Sequence, residues 1–221
     1  MVSPEFQRAR SQDAKQQRQE AILRSAEALA REHGVRAVTL TDIAGGVGMH
    51  KSGMLRYFET REEIFLHLAR DAWAEWASSV EQQLDEAAPH GSSAVSTAQV
   101  LSSSLIARPL FCDLLAHVPL NLERGVSAES VREFKIAAIT AAGAVASALQ
   151  RCLGLAPNAA WNTVSTATAM AGALWQMATP GADIRALYES DPDLAHAVVE
   201  VEPRLTDILT ALIDGYTHTR N

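Results

Sequence analysis

A chain of 221 residues, 48% hydrophobic and 5% aromatic, is long enough for one large domain or a small one joined to a larger one. Alanine and leucine dominate over β-branched runs and no alternating pattern persists, which excludes a sheet-based fold. The N-terminal stretch is polar, without a signal-peptide core, and no apolar run reaches the ~18 residues of a membrane span, so a soluble, cytoplasmic protein is expected. The net charge of −7 is unevenly spread: residues 1–62 hold ten Lys/Arg against eight Asp/Glu, and the remainder nine against eighteen. A slightly basic head on an acidic body suits a protein that touches a polyanion with one end only.

The first long helix is expected from Asp13 to His33, with Ile22, Ala26, Leu29 and Ala30 on one face and Gly34 as a left-handed cap. The block from Val38 to Phe58 follows. Thr39 and Asp42 have the spacing of a capping box and open a short helix whose Ile43, Ala44 and Val47 face inward. Gly48 supplies a sharp turn, and a second short helix runs from about Lys51 to Tyr57. Met54 and Phe58, four apart, anchor it to the core and leave Lys51, Ser52, Gly53, Arg56 and Tyr57 facing outward. Two short helices about a glycine turn make a helix-turn-helix, whose second helix fits a major groove. Lys51 and Arg56 have the chemistry to reach guanine edges or phosphates, and Ser52 and Gly53 are small enough for close approach. Thr60 starts the next helix, whose free N–H groups suit a phosphate.

Over about residues 13–70 the sequence resembles the TetR family of regulators. Thr39, Ile43, Ala44, Gly48, Lys51, Met54, Tyr57, Phe58, Thr60, Glu63 and Ile64 fit the family's run, while His50, Leu55 and Arg61 depart from its usual serine, tyrosine and lysine. The resemblance implies a transcription regulator of bacterial type: an all-α protein with an N-terminal helix-turn-helix over 1–60 and a helical effector-binding and dimerisation domain over 61–221. It implies a DNA-binding set of Thr39, Thr41, Lys51, Ser52, Gly53, Arg56, Tyr57, Thr60 and Arg61 on double-stranded, palindromic DNA. Basic extensions ahead of the first helix sometimes reach the minor groove in the family. Arg8 and Arg10 stand there, either as such an arm or as a solvated tail.

Thr60 and Glu63 have the spacing of a second capping box, opening a helix with Ile64, Leu68, Ala72 and Trp76 on its stripe as far as Leu84, before a break at Pro89–Ser93. Prolines then punctuate helices expected over 94–107, 109–118, 128–153, 158–178 and 204–218, with 180–203 a connector holding one or two short helices. Cys112 and Cys152 have neither metal nor redox spacing and are read as reduced core residues. Ala167, Ala171 and Leu174, with Leu205, Ile208, Leu209 and Leu212, form stripes that serve either a two-fold four-helix interface, the homodimer that palindromic half-sites require, or the chain's own core.

A small-molecule pocket is expected among Trp73, Leu105, Phe111, Leu114, His117, Phe134, Met170 and Trp175, apolar and aromatic residues with few polar groups. Asp113 and His117, four apart, could hold a polar ligand group. The ligand is then apolar or amphipathic. No nucleotide-binding, zinc-protease or hydrolase motif is present, and Glu63 with His67 makes only a pair, so no catalytic set, metal or other cofactor is expected. The leading reading is a ligand-responsive DNA-binding repressor. The alternatives are a helical small-molecule-binding protein without DNA regulation, told apart by the salt dependence of duplex binding, and a helical-bundle enzyme, which needs convergent carboxylates and histidines.

Overall fold

The computed structural model describes residues 4–87 and 91–218, the side chains of 4–11 and of Ala195 excepted. Among the described residues the chain forms ten α-helices and no strand: α1 (Pro4–His33), α2 (Leu40–Gly46), α3 (Lys51–Met54), α4 (Arg61–Ala87), α5 (Ala94–Ile106), α6 (Pro109–His117), α7 (Ala128–Leu153), α8 (Pro157–Ala178), α9 (Ala182–Ser190) and α10 (Val201–His218). A π-helical turn, Val118–Leu122, follows α6, and a 3-10 turn, Pro192–Ala197, precedes α10. The all-α class expected from composition is the fold observed.

The helix ends follow their capping chemistry. Thr39 and Asp42 close the expected box: Asp42 N–H donates to Thr39 Oγ1 at 3.2 Å and Thr39 N–H to Asp42 Oδ2 at 2.8 Å. Ser93 and Ser96 make another, at the start of α5. At α4 the second expected box is half made. Glu63 N–H donates to Thr60 Oγ1 at 3.1 Å, but the Glu63 carboxylate accepts from Glu59 rather than from Thr60. Pro109 and Pro157 open α6 and α8, where a missing N–H costs nothing.

Three boundaries differ from expectation. Helix α1 starts at Pro4, nine residues before Asp13, because its first turns carry no apolar period to mark them. Arg8 and Arg10 fall within it, and their side chains, like Pro89 and His90, lie outside the described residues. Helix α10 starts at Val201, so Pro203 sits in its first turn instead of before it. Helix α7 also corrects the reading that no segment is apolar enough to span a membrane, since an 18-residue window within its 26 residues passes that test. In this fold Ala138, Val145, Ala148 and Leu149 of α7 are buried, and the helix packs against α4 and α8.

Helices α1 to α3 form a head on the N-terminal end of α4, and α4 to α10 form the body. One core runs through both, from Ile22, Ala26, Met54 and Phe58 to Ile64, Phe65 and Trp76. Trp73, Trp76 and Phe111 form its aromatic centre, with ring centroids 5.4 to 5.9 Å apart. Trp76 donates its indole N–H to Ser104 Oγ at 3.0 Å, which removes the cost of burying it. Where α6 crosses α8, a Cβ on Gly172 would lie 2.8 Å from the Ala116 nitrogen, so only glycine permits this approach.

Candidate nucleic-acid interface and effector cavity

The head is assembled by close packing and backbone capture. Met54 and Phe58 are 0% and 3% exposed, so both anchors of the second short helix point inward as their spacing predicts. That helix is a single α-turn, and tight turns prolong it: Tyr57 and Phe58 both donate to Met54 O, at 2.8 and 3.1 Å. Gly48 turns the chain at φ 65°. Ser25 of α1 donates to the Ile43 carbonyl at 3.2 Å, and a Cβ on Gly46 would fall on the Ser25 hydroxyl.

The outer face of this unit carries Thr41, Lys51, Ser52 and Arg56, all exposed, with Gly53 and Tyr57 half-buried beside them. His50 takes over the work of the usual serine. Its Nδ1 lies 3.0 Å from Ser52 Oγ and accepts from the Ser52 N–H at 3.4 Å, so an imidazole caps α3. Leu55, where the family has tyrosine, is 55% exposed and sits next to Arg56 on this surface. An apolar side chain there suits contact with a thymine methyl rather than a phosphate.

Three residues of the expected DNA-binding set have polar groups bonded to partners within the same chain, Thr39 at the surface and Thr60 and Arg61 half-buried. Thr39 both donates to Asp42 Oδ2 and accepts from the Asp42 N–H. The Thr39 hydroxyl is the main reason the Asp42 carboxyl titrates below its ordinary value. Thr60 Oγ1 is occupied by the α4 cap. Arg61 turns inward, its side chain only 16% exposed. It donates to the Val35 and Val38 carbonyls of the loop between α1 and α2, pairs with Glu62 at 2.9 Å and lies 4.7 Å over the Phe65 ring. Nothing in the sequence spacing signals this inward turn, because its acceptors lie 23 and 26 residues away.

The eight pocket candidates are dispersed. Trp73 and Phe134 share a cleft of about 260 Å³ between α4, α6, α7 and α8. Its other walls are Val118, Ala138, Ile139, Trp161 and Val164, with Lys135 and Ser165 at the rim. Trp161 could have been found from its place as a large apolar residue one turn into α8, and Ala138 from its four-residue step after Phe134. Phe111 and Leu114 instead line a charged groove of about 560 Å³ against α1. His117 and Trp175 line a cleft of about 610 Å³ at the seam between head and body. Leu105 is sealed in the core and Met170 half-buried against it, outside all three.

Asp113 is 8% exposed and accepts hydrogen bonds from Val35 N–H at 2.6 Å and Gln176 Nε2 at 2.7 Å. His117 Nε2 lies 3.3 Å from the same carboxylate. The pair therefore shares a helix face as expected, but it faces the head loop. His67 packs edge-on to Phe58 with centroids 5.4 Å apart, and burial holds its imidazole pKa below the ordinary value. No group of three or more metal-ligating side chains occurs among the described residues.

Two family models match the chain. One described as bacterial regulatory proteins, tetR family, covers residues 22–68, and one described as tetracyclin repressor-like, C-terminal domain, covers residues 70–220. No curated protein matches it. A possible TetR family transcriptional regulator from Streptomyces coelicolor A3(2) shares the fold at TM-score 0.60 and 16% identity, covering 91% of this chain and 99% of its own. The fatty acid degradation regulator FadR from Bacillus halodurans aligns at TM-score 0.53 and 14% identity, over 87% and 94% of the two chains. Thermus thermophilus FadR, a repressor solved in complex with lauroyl-CoA, aligns at TM-score 0.51 and 16% identity, over 86% and 92%.

Proposed function

The chain belongs to the tetR family of bacterial regulatory proteins, and from that premise we propose that it is a repressor, binding a palindromic operator as a homodimer and released by a small apolar or amphipathic molecule. The observation that carries this reading is the outer face of α3, where Lys51, Ser52 and Arg56 are exposed above the buried anchors Met54 and Phe58. Base-edge contact falls to Lys51, Ser52, Gly53 and Arg56, with Tyr57 and Thr41 toward the backbone. Thr39, Thr60 and Arg61 hold these residues in place, because their polar groups already have partners within the head.

The head is taken as residues 1–60 and the effector and dimerisation domain as 61–221. The dimer face is the outer side of α8 and α10. Ala169, Ala173 and Met177 are exposed at four-residue steps on α8, and Asp207, Ala211 and Asp214 at steps of four and three on α10. Of the stripes expected for this role, Ala167, Ala171, Leu174, Leu205 and Leu209 are at most 3% exposed and belong to the protomer's own core. Ile208 and Leu212 remain half-buried at its edge. The effector enters the cleft between α4, α6, α7 and α8, where Trp73, Phe134 and Trp161 offer apolar surface and Lys135 and Ser165 a polar rim. Binding there favours an arrangement whose two α3 helices no longer match successive major grooves, and the population leaves DNA. The site of action is the cytoplasm.

The reading is tested by selecting duplexes from a random pool with the full-length protein, then measuring affinity for Arg56→Ala and Lys51→Ala. A palindrome is expected. Loss of a base-reading side chain should cost about 1–3 kcal/mol. Affinity should fall steeply with salt. Selection of no duplex, or a flat salt response, would favour a small-molecule-binding protein that does not regulate DNA.

A further inference from the structure

Val35 ties the head to the body on both sides of one residue. Helix α1 ends at Gly34, in left-handed backbone at φ 81°, whose N–H returns to Ala30 O at 2.9 Å. In a Schellman close the next N–H would also bond back to its own helix. Here it leaves: Val35 N–H donates at 2.6 Å to Asp113, 78 residues away on α6. The Val35 carbonyl accepts from Arg61 at the start of α4. Val35 is 1% exposed, so in the intact fold both groups are satisfied by these protein partners and not by solvent.

Asp113 is itself shared. Its second oxygen accepts from Gln176 of α8 at 2.7 Å and lies 3.3 Å from the His117 ring of α6. One buried carboxylate thus joins the head loop, α6 and α8. The same two helices wall the cleft that holds Trp73 and Phe134, through Leu115 on α6, Val118 in the π-helical turn that follows it, and Val164 and Thr168 on α8. They touch backbone to side at Ala116 and Gly172, one turn from Asp113 and Gln176 respectively. A change in the separation of α6 and α8 therefore acts first on the groups that share this carboxylate.

We propose that Asp113 is the positioning residue that sets the angle of the head on the body and relays the separation of α6 and α8 to it. The latch stands on the geometry above, and its consequence for DNA rests on the regulator reading. Held by Asp113 and Arg61, the Val35 loop keeps α2 and α3 in one orientation, which fixes the distance between the two recognition surfaces of a dimer. Released from Asp113, the head swings on its remaining contacts with α4.

The test compares the full-length wild-type protein with Asp113→Ala, Asp113→Asn and Gln176→Leu. Amide hydrogen exchange is followed in the segment holding Val35. Affinity is measured for a selected duplex and for the same duplex with the half-site spacing changed by one base pair. Asp113→Ala is expected to speed exchange at Val35 by about tenfold or more. It is also expected to shrink the spacing penalty from about tenfold to about threefold. Asp113→Asn keeps an acceptor for Val35 and should lie between, and Gln176→Leu leaves the carboxylate in place but loosens α8, so it should shift both readouts in the same direction. If Asp113→Ala fails to fold, the other two variants carry the comparison. Unchanged Val35 exchange in the folded variants overturns the latch. Faster exchange with an unchanged spacing penalty overturns the relay while wild-type binding still upholds the regulator reading. If the wild type selects no duplex, that reading fails, and the exchange result alone decides the latch.

Discussion

Replacing Gly172 by alanine sets two effects against each other inside α8. Alanine favours helix over glycine by about 1 kcal/mol. The added methyl, however, would lie 2.8 Å from the Ala116 nitrogen and 3.2 Å from the Ala116 Cα and Leu115 carbonyl carbon, where ordinary contact begins near 3.4 Å. These are backbone atoms of α6, so no side chain can rotate away and the helices must part by roughly half an ångström. Overpacking of this kind costs about 1–3 kcal/mol, and a backbone obstacle places it toward the upper end. The net expectation is a loss of about 1–2 kcal/mol, or about 3–6 °C in melting temperature for a chain of this size. Gly143→Ala is the control: its Cβ would meet only the Trp161 ring at 3.9 Å, so the helix gain of up to about 1 kcal/mol should survive. Both variants are to be melted at one protein concentration, since the midpoint of a self-associating protein depends on it. If Gly172→Ala were as stabilising as Gly143→Ala, the close crossing of α6 and α8 would be wrong, and with it the shared geometry of Asp113 and Gln176.

Arg61→Lys keeps the charge but loses the fork that serves both the Val35 and Val38 carbonyls; urea unfolding should show a loss of about 1–3 kcal/mol, whereas a phosphate-binding role alone would leave stability unchanged and reduce only DNA affinity. Burial pushes the Cys112 thiol up to about 12, so in native protein at pH 8 it should resist a thiol-specific chromogenic disulfide, while Cys152, half-buried and more accessible, should react first. Two equally fast thiols would contradict the packing around α6. Burial lowers the His67 pKa, so the folded chain resists its protonation: stability is full above the ordinary value of 6.5 and falls as pH drops through it, until the lower folded value is reached. His67→Gln should flatten that part of the stability–pH curve, and an unchanged slope would place the imidazole in solvent.

Much of the head was legible in the sequence because its determinants are local. A capping box needs Thr39 and Asp42 three residues apart, a turn needs Gly48, and an inward anchor pair needs Met54 and Phe58 one helical turn apart. Each is satisfied within a few residues, so spacing alone specifies it, and the same locality brought the family resemblance into view. The body did not yield in this way. Residue type alone groups its eight pocket candidates, but the fold divides six of them in pairs among three separate clefts, Trp73 with Phe134, Phe111 with Leu114 and His117 with Trp175, because helix crossings decide which stripes face each other. The small-residue stripe of Ala167, Ala171 and Leu174 fits either an internal crossing or a subunit interface, and only the packing of α8 among the other helices of the body assigns it to the core.

The amino-acid order by itself determined the helical class, the start of α2 and the outward set on α3, since backbone capping and four-residue periodicity act over distances the chain spans locally. Tertiary structure alone decided that Arg61 serves two carbonyls of the head loop and that Asp113 holds Val35 from 78 residues away. Buried polar groups must find partners wherever the folded chain brings them, and no local spacing encodes which distant backbone group that will be.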